Sequence, residues 1–333
     1  MSNKILTVSV AAYNVEKYIQ QNIESMIIPE IMDLLEVFIV DDGGTDQTAE
    51  IAKKYEEQYP ETFHVVHKEN GGYGTTVNYS MAHATGKYFK LLDGDDWFDA
   101  NHLKYLIKAL RTSDADVVFT HYAYGCDEKN LRLIKRHHMH NGYECLMKDF
   151  VPRKPVGMWC ITFKTELLRR TNLILPSHSL YTDQLYAIVP FSAAKKALFI
   201  DLPVYCYRVG RDGQSMSVES RIRHKDEMLR ICRKTYEFCE TQRNSENYRY
   251  ILGRVARFHV IAIQTYLLLP LSDHNRRTIK RYDQKIRREF PDIYRGAARC
   301  QKMGIFVSMM RKTNYMAYWL LKIYPALSGK NNK

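Results

Sequence analysis

Five short apolar runs alternate with amphipathic stretches over the first 125 residues, and this alternation leaves few architectures open. The runs "ILTVSVAA", "EVFIVDD", "FHVVHK", "YFKLLD" and "ADVVFTHYA" have the length and the branched or aromatic content of buried or half-buried strands. Between them, "EKYIQQNIESMI", "TDQTAEIAKKYEEQY", "TTVNYSMAHA" and "ANHLKYLIKALRT" carry apolar residues at helical spacing. Strand following helix following strand predicts an α/β fold, a mostly parallel sheet flanked by helices. Such sheets bind their ligands beyond the carboxyl ends of the strands. Position then becomes evidence: Asp41 and Asp42 end the second run, and Asp93 and Asp95 end the fourth.

The fourth run leads into "LLDGDDWFD", where Asp93, Asp95 and Asp96 fall within four positions. Two like charges about 4 Å apart repel by about 4 kcal/mol at an effective dielectric near 20. A solvated turn with an acidic helix start is one reading, and the commoner one for a bare acidic tetrapeptide. A hard divalent cation held by oxygen ligands is the other. Between the two acidic clusters lies "ENGGYGTTVNYS", a glycine-rich loop opening a helix, which offers backbone N–H groups and close backbone approach. It matches neither the dinucleotide fingerprint nor the phosphate-cradling GxxxxGK[ST] pattern, and a structural turn explains it as well.

With 333 residues, 45% of them hydrophobic, the chain can bury a large core. Its seven cysteines are scattered without a CxxC pair, which fits a reducing cytosol and suggests neither a disulfide framework nor a zinc ribbon. The first apolar run gives way to "YNVEKY" without a small-residue cleavage site, so it is a strand and no signal peptide. Charge divides the chain. Residues 1–218 hold 24 Lys and Arg against 27 Asp and Glu, whereas residues 219–333 hold 25 against 10. The expected organisation is therefore a catalytic domain at 1–218 and a basic helical region at 219–333 that faces something anionic, unless its cations only solvate a helical surface.

Residues 126–218 are less regular: "MWCITFKTELLRR" predicts a strand into a helix, "YTDQLYAIVPFSAAKK" a helix with an acidic start, and "ALFIDLPVYCYRV" two short strands around Pro203. Beyond Glu219 the pattern is helical, with breaks near Pro270, Pro291 and Gly304. The stretch "IFVSMMRKTNYMAYWLLKIY" is too interrupted to span a bilayer. It suits an interfacial helix whose Arg311, Lys312 and Lys322 meet anionic lipid, while helix–helix core packing explains its apolar residues equally well. No zinc-finger spacing or RNA-recognition signature supports nucleic acid as the partner of this charge.

Residues 5–215 resemble the family 2 glycosyltransferases of the GT-A fold, in particular the bacterial branch that builds exopolysaccharide, capsule and related surface glycans. The resemblance rests on motifs in order: "VSVAAYNVEKYI", "FIVDDGGTDQT", "ENGGYGTTVNYSMAHATGKYFKLLDGDDW", "YTDQLYAI" and "YCYRVGRDGQSMS". It implies that Asp42 accepts hydrogen bonds from the uracil edge, with Ala12 and Tyr13 as the nucleotide wall and Gly72 in the donor loop. Asp93 and Asp95 would be the D-x-D pair, Asp95 binding Mg2+ or Mn2+ directly and Asp93 holding ribose or a metal-bound water. Asp96 would cap the following helix or touch the sugar. Asp183 would be the general base; taken alone it is an ordinary helix-start aspartate. Arg208, Gln214 and Ser215 would meet the diphosphate, although Arg208 also reads as a plain surface cation. Two departures stand out. Gly44 replaces the family's usual Ser, leaving Thr45 or Asp46 to cap the helix, and Thr182 replaces the usual Glu before the base.

These readings converge on an inverting, metal-dependent hexosyl- or N-acetylhexosaminyl-transferase that uses a UDP-sugar. Its acceptor would be a growing glycan or lipid-linked saccharide in cell-surface polysaccharide synthesis, and its place the cytoplasm, peripheral at the inner face of the membrane. Two alternatives remain at this level. One is a metal-dependent phosphotransferase with an aspartate nucleophile, which leaves Asp42 and Asp183 without a task. The other is a sugar-nucleotide-binding protein without turnover.

Overall fold

The computed structural model describes residues 3–152, 156–210 and 217–323. The chain divides into two compact units, Met1–Arg211 and Asp212–Lys333. Elements of the first unit run β1 (Leu6–Ala12), α1 (Glu16–Glu24), β2 (Leu35–Asp41), α2 (Thr48–Gln58), β3 (Phe63–His67), α3 (Tyr73–His83), β4 (Tyr88–Asp93), β5 (Trp97–Phe98) and α4 (Ala100–Thr112). They continue with β6 (Val117–Gly125), β7 (Arg132–Ile134), β8 (Tyr143–Leu146), β9 (Ile161–Lys164), α5 (Thr165–Arg170), α6 (Asp183–Tyr186) and β10 (Lys196–Arg208). Each apolar run of the first 125 residues is a strand, and each amphipathic stretch between them is a helix.

The strands form one sheet in the order β3-β2-β1-β4-β9-β6-β10-β5, with β7 on β6 and β8 on β10. From β3 to β4 all pairings are parallel; β9 enters antiparallel between β4 and β6, and β6 and β10 run parallel again. This is the mixed α/β, mostly parallel sheet that the alternation predicts. β1 lies inside the sheet between β2 and β4, and Leu6, Val8 and Val10 are fully buried because helices cover both faces. Register then sets the ligand edge. Ala12 pairs with Asp41 on one side of β1, and Ala11 pairs with Asp93 on the other, so both acidic clusters leave the sheet at the same level.

Two local expectations change. The segment around Pro203 is a single strand, β10, whose pairing with β6 shifts register between Phe199 and Tyr205. Proline removes one ladder donor, and a bulge absorbs that loss without ending the strand. α6 is only four residues long, because Pro190 opens a separate 3₁₀ turn over Val189–Ser192.

The second unit consists of α7 (Val218–Arg223), α8 (Lys225–Thr241), α9 (Tyr248–Leu267), α10 (Asp273–Glu289), α11 (Pro291–Ala297) and α12 (Gln301–Lys312). Pro270 and Pro291 break helices as expected, but Gly304 lies inside α12. A Cβ there would stand 2.8 Å from the carbonyl oxygens of both Ala297 and Ala298, so this glycine serves close approach rather than a helix stop. The stretch 305–324 also departs from the interfacial reading. Phe306, Val307, Met310, Tyr318 and Leu321 are buried against Ile263, Leu267 and Ile279 as core. Arg311 is equally internal: Nε and Nη2 each donate to Asp283 at 2.7 Å, and the guanidinium lies 3.5 Å from the Tyr294 ring. His259 and Tyr315 complete the shell around Asp283. Burial pushes the Asp283 carboxyl up, but Arg311 and His259 outweigh it and hold the group well below the usual carboxylate range. Among the described residues no helix is long and apolar enough to cross a membrane.

One buried cation belongs to the sheet itself. Lys90 of β4 is fully buried, donates to the Trp159 carbonyl at 2.8 Å, and has the Tyr205 and Phe98 rings about 6 Å away. Burial pushes its amine down to about 8 from 10.5. Between those two values the unfolded chain holds a proton that the folded chain does not, so this group's contribution to stability rises with pH across the window. Lys90→Met removes the penalty at all pH values. Its stability relative to wild type, measured by urea unfolding, should fall by about 3 kcal/mol between pH 7 and pH 10.5. A pH-independent difference would show that Lys90 stays charged in the fold.

Candidate active site

The turn after β4 is built by hydrogen bonds to three other elements, β1, α1 and β10. Gly94 N donates to the Ala11 carbonyl at 2.9 Å, and Asn22 Nδ2 of α1 donates to the carbonyls of Asp93 and Asp96, both at 2.9 Å. A Cβ on Gly94 would sit 2.9 Å from the Ala11 oxygen, so only glycine lets the turn rest on the end of β1. Carboxylate oxygens of Asp93, Asp95 and Asp96 all lie within 4.8 Å of one another. Asp96 is 1% exposed, accepts from Tyr205 Oη at 2.5 Å and from Arg208 N at 2.7 Å, and so faces β10. Tyr205 Oη in turn accepts from Asp93 N at 3.2 Å. Burial, reinforced by the charges of Asp95 and Asp93, pushes the Asp96 carboxyl well up. The cap of α4 belongs to Asp99, whose side chain accepts from His102 N at 2.9 Å, so Asp96 does not cap that helix.

Arg208 also serves this turn. Its Nε donates to the Asp95 carbonyl at 2.8 Å, Nη1 to the Cys126 carbonyl at 2.9 Å and Nη2 to Gln21. The guanidinium lies 4.6 Å from the Trp97 ring and 4.9 Å from Tyr18. A bidentate contact to a diphosphate would require these bonds to be given up, so the guanidinium here is a strut for the acidic turn. Gln214 and Ser215 lie outside the described residues.

At the end of β2, Asp42 is engaged on both oxygens by its own chain, with Oδ2 carrying a single short hydrogen bond. Lys68 Nζ donates to Oδ1 at 2.6 Å, Gly71 N to Oδ1 at 2.9 Å and Gly72 N to Oδ2 at 2.7 Å. Burial raises the carboxyl, but the Lys68 ammonium and the two amides outweigh it and bring it below its ordinary value. The Gly72 amide, expected on the donor, is therefore spent on Asp42. Tyr13 stands 53% exposed beside this site, while Ala12 is buried with its carbonyl accepting from Asp42 N at 2.9 Å. Gly44 N donates to Asp41 Oδ1, and a Cβ at that position would meet the same oxygen at 2.6 Å. Asp46 takes over near the helix start, accepting from Thr48 N at 3.0 Å.

The glycine-rich loop holds the segment that carries Asp183. His178 N donates to the Gly71 carbonyl at 2.6 Å, and Asn78 exchanges two hydrogen bonds with the Leu175 backbone. Gly72, at φ +83, and Gly74 have no room for a Cβ, which would stand 3.1 Å from His178 N and 2.4 Å from the Pro176 oxygen. Asp183 then opens α6 two residues after Tyr181, whose φ is +64. Asp183 Oδ2 accepts from Gln184 Nε2 at 2.8 Å. Tyr73, the first residue of α3, hydrogen-bonds Asp93; burial and the charges of Asp93 and Asp183 push its phenol well up. One tyrosine thus senses both the acidic turn and the base candidate.

Residues 7–174, half of the chain, match the profile described as glycosyl transferase family 2. The chain belongs to this family. Glycosyltransferase GlyG of Streptococcus pneumoniae serotype 4 is 26% identical over 254 residues, covering 71% of this chain and 81% of GlyG. EpsH of Bacillus subtilis is 25% identical over 216 residues, 63% of this chain and 62% of EpsH. The match thus spans less than two thirds of EpsH. Among solved structures, S. aureus TarS superposes with a TM-score of 0.65 at 18% identity, covering 95% of this chain and 55% of TarS. Its 1–349 fragment, solved in complex with UDP-GlcNAc, gives a TM-score of 0.60 at 19% identity and covers 93% of this chain and 92% of the fragment. These likenesses place the fold with the GT-A fold of TarS.

Within this family 2 chain, sequence reading missed Lys68 and Asn22, which lie outside the motifs, and Tyr73 and Tyr205, which lie inside them without having been given a role. Alternation in β10 makes Tyr205 legible only as a buried aromatic, without its polar tip. The relay from Asp93 N through Tyr205 Oη to Asp96 gives a direct test. Tyr205→Phe strands a buried amide and a buried carboxyl, and should lower unfolding free energy in urea by about 1–3 kcal/mol with the circular dichroism unchanged. A loss below about 0.5 kcal/mol would mean that the relay does not hold the turn.

Proposed function

We propose that this chain is an inverting, metal-dependent glycosyltransferase that moves a sugar from a UDP-sugar to a hydroxyl of a growing glycan or lipid-linked saccharide in cell-surface polysaccharide synthesis. The observation that carries the reading is the acidic turn at the ligand edge, linked through Tyr73 to Asp183. Family membership and relatives such as GlyG, named a glycosyltransferase, support the reaction class. The complex of TarS with UDP-GlcNAc favours a uridine nucleotide as donor.

The donor set fits a hard cation. Asp93, Asp95 and Asp96 offer only oxygen ligands within 4.8 Å of one another, and β10 already engages both oxygens of Asp96. Asp95 and Asp93 are then the residues that would hold Mg2+ or Mn2+. When bound, such an ion supplies charge stabilisation for the departing diphosphate. The protein's own groups do the rest. Tyr13, exposed at the end of β1, covers the base, and Asp42 accepts from the uracil edge at a carboxylate already turned by Lys68 and the glycine amides. Arg208 keeps the turn in place. Asp183 takes the proton of the acceptor hydroxyl as the oxygen attacks from the face opposite the leaving group.

Asp183→Asn keeps the shape and removes the base. UDP-sugar binding by calorimetry with Mn2+ should be unchanged, while transfer should fall by about 10²–10⁴-fold. Transfer within a few-fold of wild type would take Asp183 out of the mechanism. Donor identity follows from thermal shift: the right UDP-sugar raises the melting temperature with Mn2+ or Mg2+ present, and chelation abolishes the gain. A gain that survives chelation would argue against a metal at Asp93 and Asp95.

A further inference from the structure

We infer that the outward face of α10 is a docking surface for an anionic lipid bilayer. The chain's basic excess lies in the last third, yet much of that charge is used internally. Arg311 is buried on Asp283, Arg233 pairs with Glu237 and Glu289, Arg243 with Glu240, Arg276 with Asp273 and Arg295 with Asp292. α10 differs. Ile279, Asp283 and Ile286 form its buried stripe, and His274, Arg277, Arg281, Lys285 and Arg288 recur three or four residues apart on the opposite side. All five are exposed, and Arg277, Arg281 and Arg288 make no ion pair among the described residues. Among the described residues of α10, acids border this stripe only at its two ends: Asp273, paired with Arg276, and Glu289, 3.9 Å from Lys285 and also paired with Arg233. A helix that concentrates unpaired cations on one exposed face complements a polyanion, since nothing within the fold is gained by crowding them.

Apolar side chains at the same end of the helix favour lipid over nucleic acid. Leu271 and Met316 are exposed at 36% and 56%. Leu271 precedes Ser272, the N-cap of α10, whose N–H donates to Tyr318 at 3.4 Å. Met316 Sδ accepts from Arg276 Nη1 of α10 at 3.7 Å. Cations that reach headgroups beside apolar groups that enter the acyl boundary are what an interfacial surface requires. This surface takes only Met316 from the stretch that the sequence suits to an interfacial helix, in which Phe306, Val307, Met310, Tyr318 and Leu321 form core. The inference deepens the reading of a lipid-linked acceptor but is measured without donor or acceptor, so either can fail alone.

The test uses the full chain with sucrose-loaded vesicles of phosphatidylcholine, with or without about 30% phosphatidylglycerol. We expect sedimentation with the anionic vesicles at 50 mM salt and release at 500 mM. The triple variant Arg277→Glu, Arg281→Glu, Arg288→Glu should lose about a hundredfold in partition, given the typical worth of a basic residue near an anionic surface. Its melting temperature should match wild type, because the three side chains are exposed and in no ion pair among the described residues. Lys53→Glu with Lys54→Glu on α2 changes net charge by a similar amount and should leave binding within two- to threefold. Equal sedimentation with neutral and anionic vesicles, binding by the triple variant at wild-type level, or loss by the α2 variant as large as by the triple variant would overturn the inference. So would displacement from vesicles by an equimolar 30-nucleotide RNA, which would assign the stripe to nucleic acid.

Discussion

A buried carboxyl group that must be satisfied from within the protein organises the catalytic edge. Asp96 is almost fully removed from water and sits beside two other acids, so it is tolerable only with donors on both oxygens. Tyr205 and the Arg208 amide supply them, and both belong to the last residues of β10. Those residues also pair antiparallel with β5, Tyr205 opposite Phe98 and Cys206 opposite Trp97. A strand that arrives more than a hundred residues after β4 therefore decides the shape of the β4 turn. Asp93 and Asp95 inherit their positions from it, while Arg208 braces the same turn through the Asp95 carbonyl. The acidic cluster is thus divided: Asp96 is turned into β10 and nearly fully buried, while Asp93 and Asp95 are less deeply buried at the carboxyl end of β4.

The second constraint is the absence of side chains where segments cross. Asp42 gathers Lys68, Gly71 and Gly72, and Gly72 and Gly74 leave room for the 175–179 backbone. The glycine-rich loop is therefore sandwiched between an aspartate and the approach to Asp183, and the amides of Gly71 and Gly72 are spent on Asp42. This arrangement couples Asp42 to the segment that carries Asp183 through hydrogen bonds and close packing, with Tyr73 at the start of α3 touching Asp93. A change in Asp42 should consequently be felt at Asp183 without any direct contact.

How far the sequence could be read follows from range. Strands β1 to β4 and the acids at their ends were legible because a strand buried on both faces shows as an unbroken apolar run, and ligand position follows from sheet topology alone. That Gly94 admits the end of β1 was not legible, because that neighbour is set by sheet packing. Lys68, Tyr73 and Tyr205 were not legible, because each owes its role to a partner fixed by tertiary register; Tyr205 and Asp96 are 109 positions apart. Arg208 was recognised as important, but its contacts to the Asp95 and Cys126 carbonyls and to Gln21 were not legible, since a guanidinium suits a phosphate and a set of carbonyls equally well. In the 305–324 stretch, amphipathic spacing reports that one side is covered but not by what. α9 and α10 cover it, and the partner of Arg311 is an aspartate on another helix.

The same limit governs charge. Net charge counts Arg311 and Arg281 alike, yet the two do opposite work. Removing Arg311 would leave Asp283 buried without its main counterion, a change of the kind that costs about 3–5 kcal/mol, because breaking a desolvated pair strands a charge. Removing Arg281 would leave solvent where solvent already was, and exposed charges contribute within about 1 kcal/mol even when paired. A cation essential to the fold cannot be varied freely to suit a partner. A cation outside it can, so the α10 stripe is the part of the basic third whose composition the fold does not dictate. Five basic residues on one face where stability is indifferent therefore call for a cause outside the molecule, and an anionic surface is the simplest one that their geometry meets.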